Sequence, residues 1–303
     1  MSKVSILIIG SNGMVGQDLL RLFECESNEL YKIVCCNRDD FYQKTCDMSL
    51  YDVIFNCAND NISKLILSKK REKTLYIDNS SYLRMNPDYP LVIPEVNFVE
   101  SNVYANPNCV TIILCLFLNA IKIFNPKNIE VTTYQAISGA GKDKFKKFLD
   151  DSIVSSGGID IKRPLAGVDE NKLGFNFYPH ETPKDREGFS GEERKVINET
   201  KKITGLDVFP TCIRIPAVRC HGEVVMCEFG EDVSKELLIE ILKLRGILYK
   251  ENPEALDMEM SDKIMVGHIR KSPFRNRWSF FVVGDQLTRG ASYNAYKIFK
   301  NLK

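Results

Sequence analysis

Ser5-Ile6-Leu7-Ile8-Ile9-Gly10-Ser11-Asn12-Gly13-Met14-Val15-Gly16 is the stretch whose reading decides the fold. The apolar run up to Ile9 reads as a short buried strand, and the residues from 15 to 25 carry the apolar spacing of a helix. Between them lies a turn of small residues. Such a turn lets the backbone approach a pyrophosphate, while the first N–H groups of the following helix supply donors and positive potential. The glycines are spaced G-x-x-G-x-x-G rather than G-x-G-x-x-G, so the strand–turn–helix context gives the motif its weight. Gly10, Ser11, Asn12, Gly13, Met14, Val15 and Gly16 are therefore candidate contacts to a dinucleotide.

The pattern continues outward from this turn. Residues 31–36, 53–58 and 74–78 read as further strands and 62–70 as a helix, an alternation that predicts a parallel sheet covered on both faces. From about residue 130 the strands become longer and more alternating, at 130–137, 209–215, 223–229, 263–269 and 278–283, as expected of a mixed or antiparallel sheet. Residues 289–302 read as a closing amphipathic helix. The expected fold is thus α/β: an N-terminal Rossmann-type doubly wound parallel sheet, followed by an α+β domain with a mixed sheet. The boundary is expected after residue 108, with residues 285–303 returning to the first domain and 109–284 forming the second. The stretch 157–187 is rich in Gly, Pro and charge without periodicity, and reads as an excursion and a contact surface for another subunit.

Composition narrows the functional classes. The chain has 303 residues, 44% hydrophobic and 27% charged, with a net charge of +1. This is the balance of an ordinary soluble globular protein, without the basic footprint of a nucleic-acid or membrane-surface binder. No apolar run is long enough for a membrane span or a signal-peptide core, so a cytoplasmic location is expected. The ten cysteines follow no disulfide framework and no metal-ligand spacing, and most lie within apolar runs as small hydrophobes. Reduced thiols and no metal are the expectation.

Chemistry concentrates at a few positions. Asn106-Pro107-Asn108-Cys109 is a turn that delivers a cysteine onto the first turn of the apolar run 110–118. A helix N-terminus favours thiolate over thiol, and thiolate attacks carbonyl carbon, so Cys109 is the candidate nucleophile. His221 precedes Gly222 after a strand-like segment, a setting that should expose the ring; near its ordinary pKa it could move a proton at the thiol or at an intermediate's oxygen. The two other histidines, His180 and His268, have no comparable partners in the sequence. Arg84 follows Asp78-Asn79-Ser80-Ser81 at the carboxyl edge of the parallel sheet, where an arginine can clamp a phosphate or carboxylate. Arg38, at the end of the second strand after Cys35-Cys36-Asn37, favours NADP by accommodating a 2′-phosphate, although Asp39-Asp40 follow at once. Glu192 and Lys195 stand at i and i+3 on an expected helix and share a face; by spacing alone they read as an exposed salt bridge.

Taken in order, these segments resemble the aspartate-semialdehyde dehydrogenase family. The resemblance is carried by Ile77-Asp78-Asn79-Ser80-Ser81, Arg84-Met85, Ile93-Pro94-Glu95-Val96-Asn97, Asn106-Pro107-Asn108-Cys109 and Tyr134-Gln135-Ala136-Ile137-Ser138-Gly139-Ala140-Gly141. It continues through Arg214-Ile215-Pro216-Ala217-Val218-Arg219-Cys220-His221, Gly284-Asp285-Gln286-Leu287-Thr288-Arg289-Gly290-Ala291 and Asn294-Ala295. It spans the chain from Gly10 to the last helix, and implies that the α+β domain is the catalytic and dimerisation domain. The resemblance implies that Cys109 is the nucleophile, His221 the acid–base and Gln135 the residue orienting the acyl intermediate. It implies that Arg214 holds the substrate carboxylate, that Glu192 and Lys195 bind amino group and phosphate, and that Arg84 and Asn108 are further phosphate and polar contacts. Asn37, Arg38, Ser80, Ser138, Gly139 and Gln286 would join the glycine-rich turn at the cofactor. Two positions depart from the family: Gln286 stands where asparagine is usual, and Cys220 stands where glycine is common. The implied reaction is NADP-dependent reductive dephosphorylation of L-aspartyl 4-phosphate to L-aspartate 4-semialdehyde, in lysine, threonine and methionine biosynthesis. The substrates are small molecules, including inorganic phosphate, and the assembly a homodimer or homotetramer. The alternatives are an acyl-phosphate reductase of another substrate, such as N-acetyl-glutamyl phosphate, and a non-catalytic NADP-binding paralogue.

Overall fold

The computed structural model describes residues 3–26, 30–37, 40–41, 47–156 and 176–302. Arg38 and most of the 157–187 excursion lie outside the described residues. The first sheet is built from β1 (Val4–Ile9), α1 (Met14–Glu24), β2 (Tyr31–Cys36), β3 (Val53–Asn56), α2 (Asp60–Lys69), β4 (Leu75–Asp78), α3 (Pro94–Asn97) and β5 (Val103–Ala105). All five strands are parallel, in the order β2-β1-β3-β4-β5. The strands and helices expected here form within two residues of their expected ends.

The chain runs from β1 outward to β2 and then returns to β3 on the other side of β1, a reversal that opens a crevice at the carboxyl ends of β1 and β3. Gly10 sits in that crevice with φ +81, and a Cβ there would lie 2.7 Å from the Cys57 carbonyl oxygen. A Cβ on Gly16 would stand 2.4 Å from the Gly10 carbonyl oxygen, so the turn closes only with glycine at both positions.

The second part comprises α4 (Cys109–Ile121), β6 (Lys127–Gln135), α5 (Lys142–Ser156), β7 (Tyr178–Pro179), α6 (Gly191–Thr204), β8 (Val208–Arg214) and β9 (His221–Glu228). It continues with α7 (Lys235–Leu244), β10 (Leu248–Tyr249), β11 (Ile264–Lys271) and β12 (Arg277–Gly284), then a π-helical turn, Thr288–Ser292, and α8 (Tyr293–Asn301). Its sheet is mixed, in the order β10-β11-β12-β9-β6-β8-β7, with β6–β8 and β10–β11 parallel and the other pairs antiparallel. The α/β plus α+β architecture expected from the sequence is the one observed.

Helix α4 explains itself by its position. It is apolar all round because it is buried between the two sheets. Ile112 and Cys115 pack with Leu7, Ile9 and Ile54 of the first sheet, while Ile113, Leu114 and Phe117 pack with Val131, Val225 and Phe280 of the second. α8 returns to the first sheet, where Ala295, Ile298 and Phe299 meet Ile6, Ile8 and Phe55. The nucleophile candidate thus begins a helix that belongs to both cores. On the far face of the second sheet, Tyr134, Ile213, Val224, Met226 and Phe281 form an apolar surface that is only half-buried. Among the described residues no helix is long and apolar enough to cross a membrane.

Candidate active site

Cys109, His221, Gln135, Arg84, Asn108, Glu192, Lys195 and Arg214 all line one cleft of about 510 Å³. All but Arg84, which lies in the turn after β4, arrive on or at the end of a helix or strand. Asn108 caps α4, its Oδ1 accepting from the Val110 N–H at 2.9 Å. Ser190 and Glu193 form a capping box that starts α6 and so places Glu192 and Lys195 one turn apart. Gln135 and Arg214 are register partners at the ends of β6 and β8, and His221 opens β9.

Cys109 Sγ lies 3.5 Å from His221 Nε2. The ring is held from behind by the Ala136 N–H, which donates to Nδ1 at 3.1 Å. This is the pairing expected of a thiol nucleophile and its proton partner. The electrostatics differ from the expectation. Burial, and then the Glu192 carboxylate, push the Cys109 thiol up to about 12, with Arg84 and Arg214 pulling the other way. The helix N-terminus does not overcome burial, so the resting cleft holds a thiol. His221 is fully buried rather than exposed, because it starts a strand flanked by β6 and β12. Burial, and then Arg214, pull its pKa down to about 3, so the resting ring is neutral.

The other polar groups form two connected sets. Asn108 donates its backbone N–H to Glu199 Oε2 at 2.6 Å and its Nδ2 to Glu192 Oε1 at 2.9 Å. Lys195 Nζ reaches Glu192 Oε2 at 3.2 Å. The pair is not the exposed salt bridge its spacing suggests, since Glu192 is only 5% exposed. Burial opposes its ionisation, yet Lys195 and His180 hold its pKa below the usual range. Arg84 pairs with Glu199 at 3.1 Å and donates to the Asn79 carbonyl at 2.9 Å. Arg214 donates to the Ala136 carbonyl at 2.9 Å, lies 2.8 Å from His180 Nε2 and reaches Glu181 at 3.4 Å. Gln135 is buried, with its Nε2 3.3 Å from Thr133 Oγ1.

Sequence reasoning missed His180, Glu181, Thr182 and Glu199. His180 does have a partner, contrary to expectation, and it lines the cleft together with Glu181, Thr182 and Pro183. No local spacing signals these residues; His180, Glu181 and Thr182 follow β7, which pairs with β8, and Glu199 is carried by α6.

The cofactor candidates divide. The turn from Gly10 to Gly16 forms the tight cradle described above, and N-cap Gly13 contributes no capping side chain, which leaves first-turn N–H groups of α1 for a phosphate. These residues fit a dinucleotide. Ser80 is engaged with Asp78, its Oγ donating to Oδ2 at 2.8 Å, and Asn37 Nδ2 donates to Asp40 at 2.7 Å. Gln286 accepts from the Cys220 N–H at 2.8 Å and donates to Ser138 Oγ at 2.6 Å, tying the turn at 137–140 to the strand that carries His221. Gly139 lies under the imidazole, where a Cβ would come within 3.2 Å of Cε1. Cys220 has φ +69, in the left-handed region, which is the conformation that makes glycine the usual residue there.

Known proteins resemble this chain in sequence and in fold. Residues 35–103 match the family model of the semialdehyde dehydrogenase NAD binding domain, and residues 118–289 that of the semialdehyde dehydrogenase dimerisation domain. The chain is 31% identical to the aspartate-semialdehyde dehydrogenase of Helicobacter pylori over 98% of both proteins. The chain belongs to the aspartate-semialdehyde dehydrogenase family. It is also 31% identical to the aspartate-semialdehyde dehydrogenase of Aquifex aeolicus, over 97% of this chain and 96% of that one. The crystal structure of aspartate semialdehyde dehydrogenase II from Vibrio cholerae, complexed with ASA, superposes with a TM-score of 0.89 at 26% identity. It covers all of this chain and 98% of its own. Membership makes this protein kin to oxidoreductases, with its first sheet the NAD-binding part of the family fold.

Proposed function

We propose that this chain reduces L-aspartyl 4-phosphate to L-aspartate 4-semialdehyde, with Cys109 as nucleophile and His221 as acid–base. The observation that carries the reading is the 3.5 Å approach of Cys109 Sγ to His221 Nε2, in a cleft that also presents Arg84, Lys195, Arg214 and the Glu192 carboxylate.

The charges suit a substrate with an ammonium, a carboxylate and an acyl phosphate. Arg214 takes the carboxylate, Lys195 and Arg84 the phosphate, and Glu192 the ammonium. Glu192 is the charge that most opposes ionisation of Cys109, so an ammonium placed beside it removes that opposition as substrate arrives. Binding thus prepares the nucleophile. Nδ1 accepts from the Ala136 N–H, so the resting ring carries its proton on Nε2. A shift of that proton to Nδ1 frees Nε2 to take the thiol proton, and the ring's hydrogen bond to the Cys220 backbone favours the imidazolium. Sγ attacks the acyl carbon, the carbon–oxygen bond to phosphate breaks, and a thioester remains on Cys109. A bound reduced nicotinamide supplies the hydride that reduces this thioester. His221 then gives its proton to the oxygen of the resulting thiohemiacetal and takes it back as the carbon–sulfur bond breaks. Gln135 orients the acyl group.

Arg38 supports NADP as the dinucleotide, and the biosynthetic role follows from the product. The half-buried apolar face of the second sheet supports a homodimer formed through that face. The decisive assay runs the reaction backwards. NADPH formation from aspartate 4-semialdehyde and NADP should require inorganic phosphate, and phosphate-independent or absent turnover would defeat the reading.

A further inference from the structure

A second cavity, of about 440 Å³, lies away from the catalytic cleft, where the middle of α4, the turn after α7, the start of β11, the π-helical turn and α8 converge. Its walls carry four basic side chains, Arg245, Lys263, Arg289 and Lys297, and two acidic ones, Glu95 and Asp262. The difference, 4 − 2, leaves the cavity with an excess of two positive charges. Leu116 and Ile264 supply part of the remaining lining.

Arg289 is the unusual member. It is only 1% exposed, yet among the described residues neither Nη1 nor Nη2 has a hydrogen-bond partner. Nη2 lies 2.9 Å from Glu95 Oε1, an oxygen that Lys297 Nζ also approaches at 2.5 Å. One carboxylate oxygen thus serves two cations, while the guanidinium packs over the Tyr293 ring, 5.5 Å from its centroid. A buried guanidinium is strongly favoured when its N–H groups are met by acceptors in a planar, two-pronged array. Here Glu95 supplies an ion pair without a hydrogen bond in that array, and the guanidinium lines the cavity.

We propose that this cavity is a binding site for a compact oxyanion, a carboxylate or phosphate group, with Arg289 as its anchor and Arg245 and Lys263 as its exposed rim. The site is placed to be felt at the nucleophile. Arg289 is followed by Gly290, where a Cβ would lie 3.0 Å from Cys109 Cβ, and Leu116, Asn119 and Ala120 of the cavity wall belong to the helix that Cys109 begins. An anion that repositions Arg289 pulls on the turn that packs against the catalytic thiol.

Sulfate and succinate are the probes, titrated calorimetrically into the whole protein. Sulfate should bind at two sites per chain. Lys195→Ala should remove the one in the catalytic cleft, and the double variant Arg245→Glu/Lys263→Glu the other. Neither rim residue lines the catalytic cleft, so turnover without added anion should stay within twofold of wild type. Arg289→Lys keeps the charge but loses the fork, and should weaken the second site at least tenfold with the rim intact. Competition by succinate at that site identifies a carboxylate ligand, and its failure a tetrahedral oxyanion; either result upholds the site. A single sulfate site lost only with Lys195, or a second site indifferent to Arg289→Lys, overturns the proposal. Should Arg289→Lys not fold, the rim variant still decides, because unchanged two-site binding in it is equally fatal.

Discussion

Gly290 lies directly against Cys109. A Cβ at position 290 would stand 3.0 Å from Cys109 Cβ and 3.2 Å from both its Cα and its carbonyl oxygen. The contact is made by the π-helical turn that precedes α8, and it meets the first turn of α4 at backbone rather than at a flexible side chain. Such turns interrupt regular helix geometry and recur at functional sites. Gly290→Ala should therefore displace the start of α4 by a few tenths of an ångström. We expect turnover to fall at least tenfold while the fold is retained, since near-attack geometry tolerates little displacement. Steady-state kinetics beside near-ultraviolet circular dichroism test this. Full activity in a folded Gly290→Ala protein would show that the contact does not set the position of Sγ.

Glu192 gives a second prediction, because it acts in opposite senses on the empty and the filled cleft. Its carboxylate raises the Cys109 pKa in the free protein and is the proposed partner of the substrate ammonium. Glu192→Gln should speed alkylation of Cys109 in the free protein at pH 8, while raising KM for the semialdehyde at least tenfold. Slower alkylation of the variant would contradict the electrostatic role.

How much of this was legible beforehand depends on the range of the interaction responsible. The turn at Gly10–Gly16 is written in its own sequence, because the constraint is contact between backbone atoms a few residues apart. Cys109 is readable for the same reason: Pro107 and Asn108 start the helix locally, and the apolar run behind them admits only burial. The protonation states were not readable. Helix position argues for thiolate and Gly222 argues for an exposed histidine, but the packing of α4 between two sheets and the flanking of β9 by β6 and β12 reverse both inferences. His180 and Glu199 reach the site through strand pairing and helix packing across long chain separations, for which no local spacing exists.

The buried histidines set a direction for acid stability. The His221 pKa falls from its ordinary 6.5 to about 3 on folding, chiefly by burial, and that of His180 is lowered for the same first reason. Below about pH 6.5 the unfolded chain therefore takes up protons that the folded chain refuses. Their contribution is fully present above that pH and is lost as pH falls towards the folded values. The melting temperature should drop between pH 7 and pH 5, with a shallower slope in His221→Gln. An equal slope in the variant would assign the acid sensitivity elsewhere.

Glu223 makes the opposite prediction. It stands two residues beyond His221 on the same face of β9, opposite Thr133, and is fully buried with no hydrogen-bond partner for either carboxyl oxygen among the described residues. Burial raises its pKa well above the ordinary 4.5. With the folded value above the unfolded one, the folded chain holds a proton that the unfolded chain releases above about pH 4.5, so stability is lost as pH rises. Glu223→Gln keeps the shape and removes the titration. At pH 8 it should stabilise the fold by about 1–3 kcal/mol, the scale on which unpaired buried polar groups are destabilising, and the gain should shrink towards pH 5. Denaturant unfolding at the two pH values measures both. A destabilised variant at pH 8 would mean that the carboxyl is held ionised by partners in the folded chain, and that its burial serves the histidine two residues away rather than opposing the fold.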